Sequence, residues 1–297
     1  MKRIIVPLDG SRLSEESLPV AARLARATGA ELLLLHVIEA SHPEAVHGER
    51  HLAGASEARA YLEAVVAGLG EGLRARAHVH EEESRDPGRA IGDHVEELES
   101  DLVVLASHGK HRVGHFLSGS VAQRVLSTGR APVLILPAGV PAGFLEPSSS
   151  PLLVVAVDGS GRHPPALDWL GAFARALGLE VELLLAVDTR GSLRGDSAAI
   201  ARSLPGATSL ALEAAVVESQ AWLEGLAASA DLAGLKVGTG LLRGGADKAL
   251  ARHMKGRMGG LVAIGTHGHA GLGALWEGSM AASMLSRLEG PVILMPA

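Results

Sequence analysis

Two stretches of sequence decide the fold: DLVVLASHGKHRVGHFLSGSVAQRVLSTGRAPVLILPA at residues 101–138 and GLVAIGTHGHAGLGALWEGSMAASMLSRLEGPVILMPA at residues 260–297. They align without a gap and share 14 of 38 residues. The openings of the two halves also match, because IIVPLDGS at residues 4–11 corresponds to LVVAVDGS at residues 153–160. Internal similarity of this kind predicts two tandem copies of one structural unit.

The repeat suggests a division of the chain into domains. We expect a first domain at residues 1–139, a linker at residues 140–151 and a second domain at residues 152–297. The linker sequence, VPAGFLEPSSSP, is rich in proline, glycine and serine and has little periodicity. The second copy is about ten residues longer between its matching motifs, and we place the extra residues near Asp188–Ser209, where Gly, Ser and Pro indicate turns.

Short apolar runs alternate with helical stretches in each copy. Ile4–Leu8 predicts a strand, and Ser11–Thr28 has the spacing of an amphipathic helix that Gly29 closes. The third strand of copy one, Arg74–His80, is less apolar, so we expect it near a sheet edge. Apolar strands separated by helices predict an α/β protein with two tandem doubly wound parallel sheets. Ligands of such sheets bind beyond the carboxyl ends of the strands.

Composition excludes several classes of function. The net charge of −6 is shared by both halves, without the basic stripe of a nucleic-acid-binding protein. The absence of cysteine excludes disulfides, thiolate zinc sites and cysteine nucleophiles. No apolar run approaches the ~20 residues that cross a bilayer. We therefore expect a soluble, cytoplasmic protein that binds neither nucleic acid nor membrane.

The loop after the fourth strand carries the most informative motif. In copy two it reads Gly265-Thr-His-Gly268, then nine residues, then Gly278-Ser279. Glycines let backbone N–H groups approach a phosphate, and the start of the following helix attracts anions. Copy one has the same frame at residues 106–120, as Ala106-Ser-His-Gly109, nine residues, and Gly119-Ser120.

This G-x2-G-x9-G-[ST] pattern, together with the VPLDGS and VAVDGS openings, resembles the universal stress protein family. The resemblance covers nearly the whole chain as two tandem copies. It implies a five-stranded adenine nucleotide α-hydrolase-like domain in each copy, which binds ATP, with or without Mg²⁺. Family members commonly dimerise through their last strands, which implies an intramolecular pseudo-dimer here, or a homodimer of tandem chains.

The resemblance also implies which residues bind the nucleotide. In the ATP-binding branch, adenine and ribose lie near the first-strand Asp and the end of the second strand, while phosphates lie in the glycine loop. Carried over residue by residue, the implied binding residues are Asp9, Val37, Gly109, Gly119 and Ser120 in copy one, and Asp158, Val187, Gly265, Gly268, Gly278 and Ser279 in copy two.

The two copies depart from the pattern in different ways. Copy one has Ala106 at the first glycine position, but it carries Lys110 and Arg112 in its loop. Copy two has both glycines, but Glu277 places a carboxylate beside the expected phosphates. Copy two therefore has the better glycines and copy one the better charges, so the pattern does not choose a single binding copy.

Simpler roles exist for the same residues. Asp9 and Asp158 could cap the helix that follows, and the glycines could serve only as turns. We expect His108 and His267 to bond the loop backbone rather than to act as general bases. The histidine groups at residues 42–51 and 108–115 have no assignable carboxylate partner, so we expect no metal site there.

Together these observations predict an ATP-binding stress-response or regulatory protein without dedicated catalysis, acting on an unidentified protein partner. The sequence contains no G-x-S-x-G, GxxxxGK[ST] or H-E-x-x-H motif, so we expect any ATP turnover to be slow. Two alternatives stay open at this point. One is an interaction protein on the same fold that binds no nucleotide, and the other is a slow ATPase.

Overall fold

The computed structural model describes both copies except for short segments and the two glycine loops. The described residues are 1–40, 45–46, 49–50, 52, 54–107, 121–127, 131–141, 143–146, 151–159, 164, 166–257, 260–265, 283–284 and 287–296.

Copy one alternates strands and helices. In chain order its elements are β1 (Arg3–Pro7), α1 (Arg12–Glu15), α2 (Leu18–Thr28), β2 (Glu31–Glu39), β3 (Ala45–Val46), β4 (Glu49–Arg50), α3 (Ala55–Gly68), β5 (Ala75–Ser84), α4 (Pro87–Glu97), β6 (Leu102–Ser107), α5 (Val121–Ser127) and β7 (Val133–Pro137).

Copy two repeats this succession with a longer connection after its second strand. Its elements are β8 (Leu152–Val157), α6 (Leu167–Leu177), β9 (Glu180–Val187), α7 (Gly195–Ser203), α8 (Pro205–Ala227), a 3₁₀ turn (Ala230–Leu232), β10 (Val237–Arg243), α9 (Ala246–Met254), β11 (Gly260–Gly265) and β12 (Val292–Met295).

Among the described residues, the two copies share one sheet of ten strands, in the order β10-β9-β8-β11-β12-β7-β6-β1-β2-β5. All neighbouring strands within a copy are parallel. The copies meet through their last strands, where β12 pairs antiparallel with β7 and Ile293 lies opposite Leu134. The strand direction reverses at this junction. The carboxyl ends of the strands in copy one and of those in copy two therefore face in opposite directions.

Both faces of the sheet are buried, which explains the continuous apolar runs. Along β1, Ile4 and Val6 pack on one face and Ile5 on the other. Helices α2, α3, α6 and α8 cover the first face, and α4, α5 and α9 cover the second. Since successive side chains of a strand point to opposite faces, only an unbroken apolar run satisfies both layers. The less apolar strand β5 lies at the edge, as its composition predicts.

Two segments differ from the sequence-based prediction. The helix predicted over Ser11–Thr28 is two helices, α1 and α2, separated by Glu16 and Ser17. The extra residues near Asp188–Ser209 do not form only turns, because α7 and the start of α8 lie there. Gly195 and Pro205 occupy the first positions of these helices, where proline lacks only an N–H that has no intrahelical partner.

The segment predicted as a linker packs against copy one. Phe144 and Leu145 are buried, and the Leu145 carbonyl accepts a hydrogen bond of 2.7 Å from Arg23 Nε on α2. These contacts hold the connection close to the first copy. Within the described ranges, no helix combines the length and apolarity needed to span a membrane.

The junction between copies should be a sensitive point for stability. Ile293 is fully buried in β12 opposite β7, so Ile293→Ala should cost about 2–5 kcal/mol of the free energy of unfolding. The shift of the urea midpoint measures this cost. Val217→Ala, at a site 71% exposed, is the control and should change stability by less than ~0.5 kcal/mol. Equal effects of the two substitutions would contradict a packed junction.

Candidate functional site

A cavity of about 170 Å³ opens at the carboxyl ends of the central strands of copy one. It lies between the first and fourth strands, where the winding of the sheet changes direction, which is where doubly wound folds bind ligands. Its wall contains two of the predicted residues, Asp9 and Val37. Ala106, at the first glycine position of the motif, also lines it. The other lining residues, most of them apolar, come from β1 and the residues that follow it, from β2 and β6, and from α4 and α5.

Asp9 organises the turn between β1 and α1. Its Oδ1 accepts hydrogen bonds from the backbone N–H of Ser11 at 2.9 Å and from Ser11 Oγ at 2.6 Å. Ser11 Oγ in turn accepts from the N–H of Ser14 at 3.2 Å, so Ser11 is the N-cap residue of α1. Gly10 has φ +87°, a conformation that favours glycine. The alternative prediction that Asp9 caps the following helix is therefore wrong. Ser11 is the N-cap residue, and Asp9 holds Ser11 in position.

His36 is a polar member of the cavity wall that sequence reasoning missed. It is only 2% exposed, with Nδ1 2.7 Å from the Leu8 carbonyl oxygen and Nε2 3.2 Å from the Leu52 carbonyl oxygen. The imidazole thus ties the end of β1 to β2 beside the Asp9 turn. The available signal was a lone polar residue in the otherwise apolar stretch LLLLHVI at residues 32–38.

The register corrects one predicted residue in copy two. Pro7 pairs with Leu35 in copy one, and its counterpart Ala156 pairs with Leu184 in copy two. Leu35 and Leu184 are therefore equivalent positions. Val37 lies two residues after Leu35, so its counterpart is Ala186, two residues after Leu184, and not Val187. Val187 packs in the core on the opposite face of the sheet. A shift of one residue moves a strand side chain to the other face, so the choice of Val187 as the equivalent of Val37 was wrong.

The corresponding chamber of copy two is much smaller. It measures about 20 Å³, and its walls consist of Ala156, Val157, Leu184, Ala186, Leu242, Ala246, Leu250 and Met284. All eight side chains are apolar. Asp158 follows β8 directly and is exposed, and Gly265 is the exposed last residue of β11. Neither residue lines this chamber.

Six predicted residues lie outside the described part of the chain: Gly109, Gly119, Ser120, Gly268, Gly278 and Ser279. The same holds for the loop residues discussed with them, which are His108, Lys110, Arg112, His267 and Glu277. Their roles stay predictions from the sequence.

A second polar cluster lies between edge strand β5 and helix α4. His80 Nδ1 is 3.1 Å from His94 Nε2, and the ring of His78 packs edge-on against His94 at 4.7 Å. Glu97 Oε2 lies 3.3 Å from His94 Nδ1. Burial lowers the pKa of both His78 and His94 below the ordinary value. Among the described residues, no three His, Cys, Asp or Glu side chains are arranged to hold a metal ion.

Comparison with known families gives a consistent result. The model of the universal stress protein family matches residues 1–137 and again residues 152–296. A universal stress protein of Methanocaldococcus jannaschii is 30% identical over 139 residues, which are 46% of this chain and 81% of that protein. One from Synechocystis is 31% identical over 140 residues, 46% of this chain and 85% of that protein.

Crystal structures of tandem length share the fold. A universal stress protein from Archaeoglobus fulgidus superposes with a TM-score of 0.63 at 20% identity, covering 99% of this chain and 96% of its own. A protein described as a putative universal stress protein from Pseudomonas aeruginosa gives 0.63 at 17% identity, covering 100% and 93%. At these identities the likeness extends to the fold alone.

Loss of the N-cap should weaken the turn that carries Asp9. Ser11→Ala removes the side-chain acceptor for the Ser14 N–H, so we expect a loss of about 1 kcal/mol in the free energy of unfolding. Chemical denaturation measures it. Ser203→Ala, at an exposed serine that bonds within its own helix, is the matched control and should stay within ~0.5 kcal/mol. No loss from Ser11→Ala would contradict the capping geometry.

The histidine cluster should make stability depend on pH. Unfolded histidines titrate near 6.5, whereas burial lowers the pKa of folded His78 and His94. Below pH 6.5 the unfolded state therefore binds more protons than the folded state. As the pH is lowered from 6.5, the free energy of unfolding should decrease until the pH is below the lowered pKa values of the folded histidines. Glu31 and Asp247, whose pKa values are lowered by hydrogen bonds from Arg3 and Ser283, lose their contributions only at more acidic pH.

The midpoint of thermal unfolding between pH 8 and pH 5 measures this dependence. His94→Asn should flatten the curve below pH 6.5, even if it lowers stability at every pH. An unchanged slope in that variant would exclude His94 as a cause.

Proposed function

The chain belongs to the universal stress protein family, and from that premise we propose that it is an ATP-binding regulatory protein of the stress response. The proposal places the adenosine part of the nucleotide in the cavity of copy one and includes the cytoplasmic location predicted from the sequence. It assigns no catalytic residue. A nucleotide-dependent change in the glycine loops would alter the affinity for a protein partner.

The cavity at the switch point of copy one carries the proposal. An apolar cavity of ~150 Å³ is known to hold benzene. At about 170 Å³, with Leu8, Leu35 and Ile91 in its walls, this cavity has room for a flat aromatic base. Apolar walls with a few polar groups are typical of small-molecule sites.

The polar groups suit a nucleoside. The Asp9 carboxylate at the cavity wall can accept hydrogen bonds from ribose hydroxyls, and Val37, near the end of β2, can offer backbone groups to the edge of the base. Glu39 also lines the cavity and would repel phosphates. We therefore propose that the phosphates extend away from Glu39 into the predicted loop at Gly109, Gly119 and Ser120. With Mg²⁺ bound to them, their charge would be partly neutralised.

One observation favours the alternative of an interaction protein without nucleotide. On helix α8, Leu210 is 69% exposed and Val217 is 71% exposed, although large apolar side chains usually lie inside. Such a surface can act in regulation whether or not ATP binds. Direct measurement of nucleotide separates the two proposals.

The first experiment is denaturing extraction of the purified protein, followed by identification of the released nucleotide. The proposal expects ATP in a stoichiometric amount, and ATP added to the stripped protein should raise its melting temperature. Saturation at 100 times Kd would add ~2.7 kcal/mol of stability. An empty extract together with no ATP-induced shift would leave the interaction protein as the better proposal.

Asp9 gives a more specific test. Asp9→Ala should lower ATP affinity about 10-fold or more, since a hydrogen bond to a charged group contributes roughly 1.5–3 kcal/mol. The same substitution also loosens Ser11, so Ser11→Ala is the matched control. It weakens the turn but keeps the carboxylate, and it should retain most of the ATP affinity. If both variants lose affinity equally, the carboxylate makes no contact of its own with the nucleotide.

A further inference from the structure

We infer that the two copies are unequal: copy one binds the nucleotide, while copy two, whose chamber is too small for a base, binds none. The inference rests on the proposed function and deepens it, because it predicts one ATP per chain. Nothing in the repeated sequence requires this inequality, since both copies carry the aspartate and the Gly-x9-Gly-Ser part of the glycine motif.

The available space is the first argument. The cavity of copy one measures about 170 Å³ and the chamber of copy two about 20 Å³. A single water needs a cavity of ~10–15 Å³, and benzene occupies one of ~150 Å³. The second chamber therefore has the volume of a water molecule and not of a base. The side chains that line it in the described part of the chain are all apolar, so none of them offers a hydrogen-bond partner even to a water.

Substitutions along the second and third strands accompany this difference, and of the residues concerned only His36 in copy one and Leu242 in copy two line the respective cavities. His36, next to Val37 on β2, corresponds to Leu185, which packs under the Asp158–Gly159 turn. On the neighbouring strands, His80 lies opposite Val37, whereas Leu242 lies opposite Ala186. Copy two thus replaces two imidazoles by leucines, and Leu242 is one of the side chains that fill its chamber.

Met284 also lines the same chamber. It is buried against Leu250 of α9 and Leu184 of β9. The residues around it are tied to α9, because Asp247 Oδ2 accepts hydrogen bonds from Ser283 Oγ at 2.7 Å and from Arg287 Nε at 3.0 Å. By motif spacing the counterpart of Met284 in copy one is the shorter Val125. Met284 therefore lines the chamber of copy two, whereas the shorter Val125 does not line the cavity of copy one.

The glycine pattern taken alone would favour copy two, which has Gly265 where copy one has Ala106. In copy one, however, Ala106 lines the open cavity, so its Cβ does not close the space. The missing glycine is therefore tolerated in copy one, while copy two has only a small chamber although its sequence carries the complete motif. The space available for the base, and not the number of glycines in the motif, therefore determines which copy binds the nucleotide.

Paired substitutions at Val37 and Ala186 test the inference on the full chain. Isothermal titration with ATP should give one site per unsubstituted chain. Val37→Phe places a ring in the cavity and should lower ATP affinity on the order of 100-fold, because the ring and the base need the same volume. Ala186→Phe, at the counterpart position, should leave both the stoichiometry and the affinity unchanged.

Thermal unfolding without ligand checks that each variant is folded. If Val37→Phe does not unfold cooperatively, Ala106→Leu, at a half-buried wall residue, provides the same test. Two ATP per chain, or loss of binding in Ala186→Phe with retention in Val37→Phe, would overturn the inequality. Absence of ATP binding in the unsubstituted chain would overturn the proposed function itself.

Discussion

The antiparallel pairing of β7 with β12 is the contact on which the rest of the structure depends. Each of these strands is buried along its length, and each would be an exposed apolar edge in a separated copy. Such edges favour unspecific strand pairing. Joining them makes one ten-stranded sheet whose remaining edges are β5 and β10. β5 carries Glu81, Glu82 and Glu83 in an exposed row, which protects that edge.

The same pairing separates the cavity of copy one from the chamber of copy two. Since the strands of the two copies run in opposite directions across the junction, their carboxyl ends point away from each other. Binding of a ligand at the carboxyl ends of one copy therefore does not require binding at those of the other. This arrangement leaves each copy free to keep or lose its cavity. In copy two, leucines at residues 185 and 242 and the methionine at residue 284 complete the core on either side of β9. The second copy then contributes apolar burial, which is the main stabilising term of folding.

Much of the architecture could be predicted because strand and helix periods are written into the sequence. The apolar runs at residues 4–8 and 152–157 became β1 and β8, and the matching segments at 101–138 and 260–297 indicated the tandem arrangement. Prediction was less successful where local composition and packing disagree. Near Asp188–Ser209, glycine, serine and proline indicated turns, although glycine and proline occupy helix starts there.

Side-chain placement near the site was harder to predict. The choice of Val187 followed the end of an apolar run, but one position along a strand decides the face of the sheet. Only the pairing of Ala156 with Leu184 identifies Ala186 as the counterpart of Val37. His36 was overlooked for a similar reason, because its partners, the carbonyls of Leu8 and Leu52, are distant along the chain.

By itself, the sequence determined the fold class, the tandem repeat and the family, because these depend on local periodicity and on short motifs. The tertiary structure alone decided which copy keeps an open cavity, which residue caps α1 and how the copies join. These features depend on contacts between residues far apart in the chain. A volume of 170 Å³ against 20 Å³ results from how side chains of several strands and helices meet.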